Sequence, residues 1–356
     1  MRSILFDGNT NHIVDDMELR PPLDGEVVVR MHASGLCQSD LSVMNGKIPF
    51  PVPVVLGHEG AGVVEEVGPG VSTPRVGDHV VTSTLANCAR CGPCVSGHPT
   101  MCRSSYGSPG TPFRWRGKDV HNFAALSTFS ERIVVRAAQT TVIPDDIDFT
   151  SACLVGCAVL TGAGAVLNRA RVSPGDRVVV IGTGGVGLNV LQAARIAGAT
   201  TIVAVDTNDS KCVQARRFGA TQFVNPDSDD AVEAVRDLTR GGGDHVFDCV
   251  GVPATVRQAL HMLDWGGQVI LLGVPPAGTE LPVPADLLYL DRALLGCRYG
   301  SSRPAADIPK YLDLYRSGDL LLDELVTRTY HFDGFHQLVD DARAAKLDRG
   351  VLTFAS

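Results

Sequence analysis

The chain has 356 residues, 44% of them apolar and 20% charged, and its 31 Lys and Arg against 39 Asp and Glu leave a net charge of −8. That balance fits a globular protein of about two domains and excludes a disordered chain or a small disulfide scaffold. The acidic charge, without a long basic run, disfavours nucleic acid or an anionic membrane as partner. No stretch approaches the roughly 20 consecutive apolar residues of a membrane span, and Met1–Asp7 turns polar too soon for a secretory signal. A cytoplasmic location is therefore expected.

Residues 1 to about 155 read as short strands broken by Gly and Pro. Gly25–Met31, Gly60–Val67, Asp78–Thr82 and Ser130–Val135 are predicted strands, separated by turn signals such as Pro69-Gly70 and Val76-Gly77-Asp78. This predicts an irregular, mainly antiparallel β domain. From Asp176 the texture changes. Strands are predicted at Arg177–Ile181, Thr201–Val205, His245–Asp248 and Gln268–Gly273. Between them lie helical patterns at Leu188–Ala197, Asp209–Phe218 and Thr255–Leu263. Repeated β-α-β units with continuously apolar strands imply a parallel, doubly wound sheet. The residues beyond about 295 mix helix and strand, and the simplest topology returns them to the first domain.

Ten cysteines lie at 37, 88, 91, 94, 102, 153, 157, 212, 249 and 297. In a chain of this size without an export signal, clustered cysteines read as metal ligands. Cys88-x2-Cys91-x2-Cys94-x7-Cys102 can close a thiolate tetrahedron around Zn²⁺ with no open position, the pattern of a structural site. The mixed local charge and the absence of a repeat disfavour a nucleic-acid ribbon. Cys37, the His58-Glu59 pair and a cysteine near residue 155 could build a second, open site. Spacing alone does not choose between Cys153 and Cys157.

Gly182-Thr183-Gly184-Gly185-Val186-Gly187 fits the G-x-G-x-x-G loop, after a strand and before a helix. The first glycine allows the tight turn, the second lets backbone approach a pyrophosphate, and the third lets helix and strand pack closely. The helix N-terminus offers free N–H groups to the phosphates. Asp206 ends the next strand, where a carboxylate accepts from a ribose hydroxyl and repels a 2′-phosphate, favouring NAD over NADP.

Several motifs together resemble the zinc-dependent medium-chain alcohol dehydrogenases over nearly the whole length. They are Gly57-His58-Glu59-Gly60, the four-cysteine lobe, Gly156-Cys157 with Thr161-Gly162, the glycine loop, Gly273-Val274-Pro275-Pro276 and Leu352-Thr353-Phe354. Arg116-Gly117-Lys118, His121-Asn122-Phe123 and Ser127-Thr128-Phe129-Ser130 resemble the longer-loop branch that includes the animal enzymes. The resemblance implies an α/β protein with a GroES-like, mainly β catalytic domain (1–158 and 296–356) and a Rossmann NAD-binding domain (159–295). It also implies a homodimer, with a tetramer second.

By match to the family motif, Cys37, His58 and Cys157 look like the ligands of a catalytic zinc. Glu59 resembles an adjacent acid able to exchange onto the metal, and Asp40 the carboxylate that orients the ligand histidine. Cys88, Cys91, Cys94 and Cys102 look like the structural set, making two Zn²⁺ per subunit. For NAD(H), the match adds Asp206 and Lys211 at the adenosine ribose, Thr161 and Val274 beside the nicotinamide, and Arg349 at a phosphate. Gly182, Gly184, Gly185, Val186 and Gly187 form the phosphate loop. Ser39 resembles the hydroxyl that bonds the substrate oxygen, while Thr84, Phe123, Ala124 and Leu294 align with substrate-pocket positions. Two departures stand out. Gln38 occupies a position where animal members usually carry a cation, and Ser42 one where they often carry a proton-relay histidine.

The implied reaction is hydride transfer between a primary or secondary alcohol and NAD, reversible toward the aldehyde or ketone. Two alternatives stand beside it: a thiol-adduct (S-hydroxymethyl thiol) formaldehyde dehydrogenase of the same fold, and a non-catalytic relative that keeps NAD and zinc as a scaffold.

Overall fold

The computed structural model describes residues 1–105, 110–281 and 283–354. The chain clusters into two compact units. One comprises Met1–Cys157, Arg303–Asp313 and Leu322–Ser356; the other comprises Ala158–Ser302 and Leu314–Leu321.

The first unit is built on long, β-branched strands with turns at Gly and Pro. Strand Glu26–Gly35 is its hub. It pairs antiparallel with Glu59–Val67, Arg132–Arg136 and the C-terminal strand Arg349–Thr353. Glu59–Val67 pairs onward with His79–Thr82, which pairs with Thr140–Val142. A second sheet joins Asn11–Val14, Ser3–Phe6, Val54–Val55, Lys118–Asn122, Phe113–Trp115 and Glu18–Leu19 in that spatial order. Phe113, Phe129, Phe335, Met31 and Leu56 fill the core and are almost wholly buried.

The second unit carries six parallel strands in the spatial order Gln222–Val224, Thr201–Val205, Arg177–Ile181, Gly243–Asp248, Leu263–Leu271, Ala293–Gly296. Numbered along the chain this is 3-2-1-4-5-6, the doubly wound dinucleotide-binding order. Strands Arg177–Ile181 and Thr201–Val205 fall where the apolar runs place them, because central parallel strands are buried on both faces. Helix Gly185–Ile196 begins at the glycine loop, ahead of the predicted Leu188, because glycines carry no hydrophobic period. Helix Pro253–His261 ends earlier than predicted. Leu263 instead opens strand Leu263–Leu271 and pairs with Gly243.

One helical run, Phe149–Ala170, reaches 22 residues and is long and apolar enough to span a membrane. Thr150, Ser151, Thr161, Asn168 and Arg169 interrupt it, so it is not a continuous apolar stretch. The run is mostly buried inside the protein, as a core helix of a globular fold is. It is not uniformly α-helical: Val155–Val159 and Ala165–Ala170 are π-helical segments.

Candidate metal and nucleotide sites

Cys37 sits at the N-cap of helix Gln38–Met44, directly after the hub strand. His58 directly precedes the neighbouring strand, which Glu59 opens, and Cys157 lies in the π-helical segment. These segments bring ligand atoms of Cys37, His58, Glu59 and Cys157 within 4.8 Å of one another, all four residues buried. Cys153 is also buried, but its Sγ donates to the Thr150 carbonyl at 3.2 Å and it stands outside the cluster. The structure thus makes the choice that spacing left open.

Asp40 organises the cluster. Its carboxylate accepts from Cys37 N at 3.0 Å and Gly57 N at 2.9 Å, and pairs with His58 Nδ1 at 3.2 Å. That leaves the other imidazole nitrogen for a metal, with ring orientation fixed. Burial, the largest influence on His58, lowers its pKa, but the combined attraction of Asp40, Cys157 and Cys37 raises it well above the ordinary value. The Cys157 thiol, hydrogen-bonded to Cys37, pulls the Cys37 pKa well below the usual thiol range, with Arg349 and His58 adding to the effect. Burial drives Glu59 up to about 7, with Cys37 and Asp40 adding and Arg349 and His58 opposing.

The donor set fits zinc. Two thiolates and an imidazole are borderline-soft ligands that leave a fourth position open. Both Glu59 carboxylate oxygens are buried without a hydrogen-bond partner, as suits a group that can move onto a cation. Cys88, Cys91, Cys94 and Cys102 form the other gathered set. Cys91 and Cys94 sulfurs are 3.4 Å apart, and those of Cys102 and Cys88 3.6 Å. Backbone N–H groups of Arg90 and Cys91 lower Cys88 to about 6, toward the thiolate a metal requires.

Ser39 and Ser42 are half-buried and one turn apart on helix Gln38–Met44, while Gln38 is exposed. Phe123 is buried, its ring 5.5 Å from that of His58 and edge-on to it, and it packs against Phe50 at 5.2 Å. Ala124 follows in a left-handed conformation with φ 53°. Thr84 is buried, with a hydroxyl that has no hydrogen-bond partner. Leu294 lies on strand Ala293–Gly296 and packs against the core of the second unit. Arg349 was expected at a phosphate. The structure holds it at the metal cluster, 3.4 Å from Glu59 and 3.9 Å from Cys37 Sγ. Nothing local in the sequence signals that contact.

In the second unit the loop glycines show why no other residue serves. Gly182 has φ +86°, and a Cβ on Gly187 would lie 2.0 Å from the Gly182 carbonyl oxygen. Gly184 faces open space, the cradle a phosphate needs. Asp206 accepts from Lys211 Nζ at 3.2 Å. Thr161 is half-buried on helix Leu160–Gly164, and Val274 is exposed.

Two family models match, the alcohol dehydrogenase GroES-like domain over residues 23–145 and the zinc-binding dehydrogenase over 185–317. The S-(hydroxymethyl)glutathione dehydrogenase of Paracoccus denitrificans is 37% identical over 96% of each chain. The chain belongs to the zinc-dependent medium-chain alcohol dehydrogenase family. Among solved structures, an alcohol dehydrogenase zinc-binding domain protein from Burkholderia ambifaria is 34% identical, with a TM-score of 0.94 over 100% of this chain and 99% of that one. Benzyl alcohol dehydrogenase from Acinetobacter calcoaceticus is 32% identical, with a TM-score of 0.93 over 99% of each. The protein is therefore an oxidoreductase of a zinc-dependent family, with a GroES-like and a Rossmann-type domain.

Proposed function

We propose that the protein is an NAD-dependent dehydrogenase of carbinols and that the S-hydroxymethyl adduct of formaldehyde with a thiol is its substrate. The plain-alcohol reading, placed first by the sequence, thereby becomes second. The observation that carries the chemistry is the convergence of Cys37, His58 and Cys157 with the carboxylate of Glu59, whose oxygens accept no hydrogen bond. The choice of adduct is supported by full-length relatives named S-(hydroxymethyl)glutathione dehydrogenase at about 36% identity.

Zinc at this cluster would supply Lewis acidity toward the carbinol oxygen, and the nicotinamide a hydride acceptor. In the proposed oxidation, R–S–CH₂OH loses its carbinol hydrogen as hydride to NAD⁺ and its hydroxyl proton to solvent, leaving the thioester R–S–CHO. Ser39 receives the hydroxyl proton and Ser42, one turn along, passes it outward. A serine hydroxyl conducts a proton but does not store one near pH 7, so water completes the relay. Asp40 keeps His58 oriented throughout. Asp206 and Lys211 hold the adenosine ribose, and the Gly184, Gly185 and Val186 region receives the pyrophosphate.

Aromatic alcohols form the second reading. The Phe50–Phe123 pair beside His58 offers an aromatic wall, and the benzyl alcohol dehydrogenase likeness points the same way. NAD-coupled assays of formaldehyde with and without glutathione and other small thiols, beside benzyl alcohol and simple alcohols, test the proposal. Thiol-dependent formaldehyde oxidation exceeding the alcohol rates supports it; thiol-independent turnover confined to alcohols overturns it.

The homodimer is part of the same proposal. Strand Ala293–Gly296 ends the parallel sheet with one free edge among the described strands, and exposed Trp265 and Tyr289 lie on neighbouring segments. Sedimentation analysis distinguishes dimer from tetramer and monomer.

A further inference from the structure

The second residue of the glycine loop is a threonine, and its hydroxyl has a specific partner. Thr183 is fully buried. Its backbone N–H donates to Asp206 Oδ2 at 2.8 Å, and its Oγ1 donates to the same oxygen at 2.8 Å. Lys211 Nζ adds a third donor to Oδ2, while among the described residues Oδ1 receives only Asn208 N, at 3.1 Å.

A carboxylate oxygen presents two lone-pair directions, about four for the group. Three donors saturate Oδ2; one donor leaves Oδ1 with a lone pair to offer. We propose that Thr183 is a positioning residue for coenzyme selectivity, its hydroxyl fixing Asp206 so that Oδ1 faces an unphosphorylated ribose hydroxyl. This inference rests on the reading of Asp206 as the ribose acceptor.

The geometry explains why the hydroxyl matters beyond the backbone bond beside it. Without the hydroxyl, Oδ2 keeps only the Thr183 amide and the long Lys211 side chain, and rotation about the Cβ–Cγ bond is less restrained. Two donors from one residue hold Oδ2 in place at the same oxygen that Lys211 meets. A rotating carboxylate would release Lys211, a cation able to meet a 2′-phosphate, and would blunt the repulsion that excludes that phosphate. Burial raises the Asp206 pKa, but the Thr183 bonds and Lys211 outweigh it and keep the group ionised. The Thr183 amide is consumed in the same contact, which leaves the phosphates to the amides that follow it.

The test measures NADH and NADPH dissociation constants by coenzyme fluorescence for the zinc-loaded protein and for Thr183→Val, Thr183→Ser and Asp206→Asn. Loss of one hydrogen bond to a charged group sets the scale. Thr183→Val is expected to weaken NADH between about three- and tenfold with little change for NADPH, and Thr183→Ser to restore the original ratio. An unchanged NADH-to-NADPH ratio in Thr183→Val, whether both constants hold or both weaken equally, overturns the inference. Asp206→Asn separates the two levels. If it narrows the ratio and Thr183→Val does not, the role of Thr183 alone falls; if neither moves the ratio, the ribose reading of Asp206 falls with it.

Discussion

Arg349 Nη2 lies 3.4 Å from Glu59 Oε1, with the arginine side chain 6% exposed and the carboxylate 0%. With Cys37 and Cys157 as thiolates, a zinc ion at the cluster would be balanced by the two sulfurs, and Arg349 would be balanced by Glu59. Each of these two groupings is then neutral, which limits the desolvation cost of burying its charges.

Breaking that balance from one side is expected to be costly. Arg349→Met strands a buried carboxylate, and such a loss is worth ~3 kcal/mol of unfolding free energy. Glu59 is held at about 7, so above that pH it must take up a proton to escape, and below it the group is already neutral. The cost should therefore be larger at pH 8 than at pH 6. Arg349→Met combined with Glu59→Gln should lose less than the two single losses summed. Urea unfolding of the three variants measures this, and simple additivity would refute the coupling.

Zinc counting separates the two gathered sets. The intact chain should hold two zinc ions. Cys157→Ala should hold one, lose turnover and still bind NADH. Cys94→Ala should also hold one, but with a lowered melting temperature, since a closed four-thiolate site contributes directly to folding. Elemental analysis with NADH fluorescence reads both. Loss of NADH binding in Cys157→Ala would assign that cysteine a folding role instead.

Asp206→Asn should narrow the preference for NAD over NADP in kcat/KM. The substitution removes the repulsion of a 2′-phosphate and leaves Lys211 without its partner at 3.2 Å. Steady-state kinetics with both coenzymes check it, and an unaltered preference would remove Asp206 from the ribose.

Ser42→His should raise alcohol oxidation near neutral pH, because imidazole stores a proton where serine only conducts one. The pH–rate profile is the measurement. An unchanged profile would mean that water already carries the proton out without limiting the rate.

A further pH effect is built into the first unit. His32 stacks on Phe149 at 4.5 Å, and its Nε2 is buried without a partner. Burial, with Arg30 and His79 adding and Glu65 opposing, lowers its pKa below 6.5. The unfolded chain therefore binds a proton that the folded chain refuses, so stability falls as pH drops below about 6.5. His32→Phe keeps the stack and should flatten that dependence. Chemical unfolding at pH 7.5 and 5.5 measures it; an unaltered slope would locate the effect elsewhere.

The legible parts of the chain were those whose chemistry is local. Arg177–Ile181 and Thr201–Val205 read directly as buried strands, and the four-cysteine lobe read as one cluster, because neighbours in sequence are neighbours in space. Cys37, His58 and Cys157 required the family resemblance, since segments far apart along the chain bring them together. The contact of Arg349 with Glu59 and Cys37 was not legible, because a contact between opposite ends of the first unit leaves no periodic trace. The Phe149–Ala170 run escaped notice because its small and hydroxylated residues interrupt the apolar pattern.

The widened turn at Val155–Val159 makes chain length at this point as consequential as residue identity. A π-turn accommodates one residue more than an α-turn. Removing Val155 or Gly156 would let the backbone relax into the tighter coil and swing the sulfur of Cys157 by about 100° around the axis. Trimming a single uncharged, non-ligating residue could thus disable the centre as thoroughly as replacing the ligand, and chimaeras with relatives must preserve the count of residues through this bend.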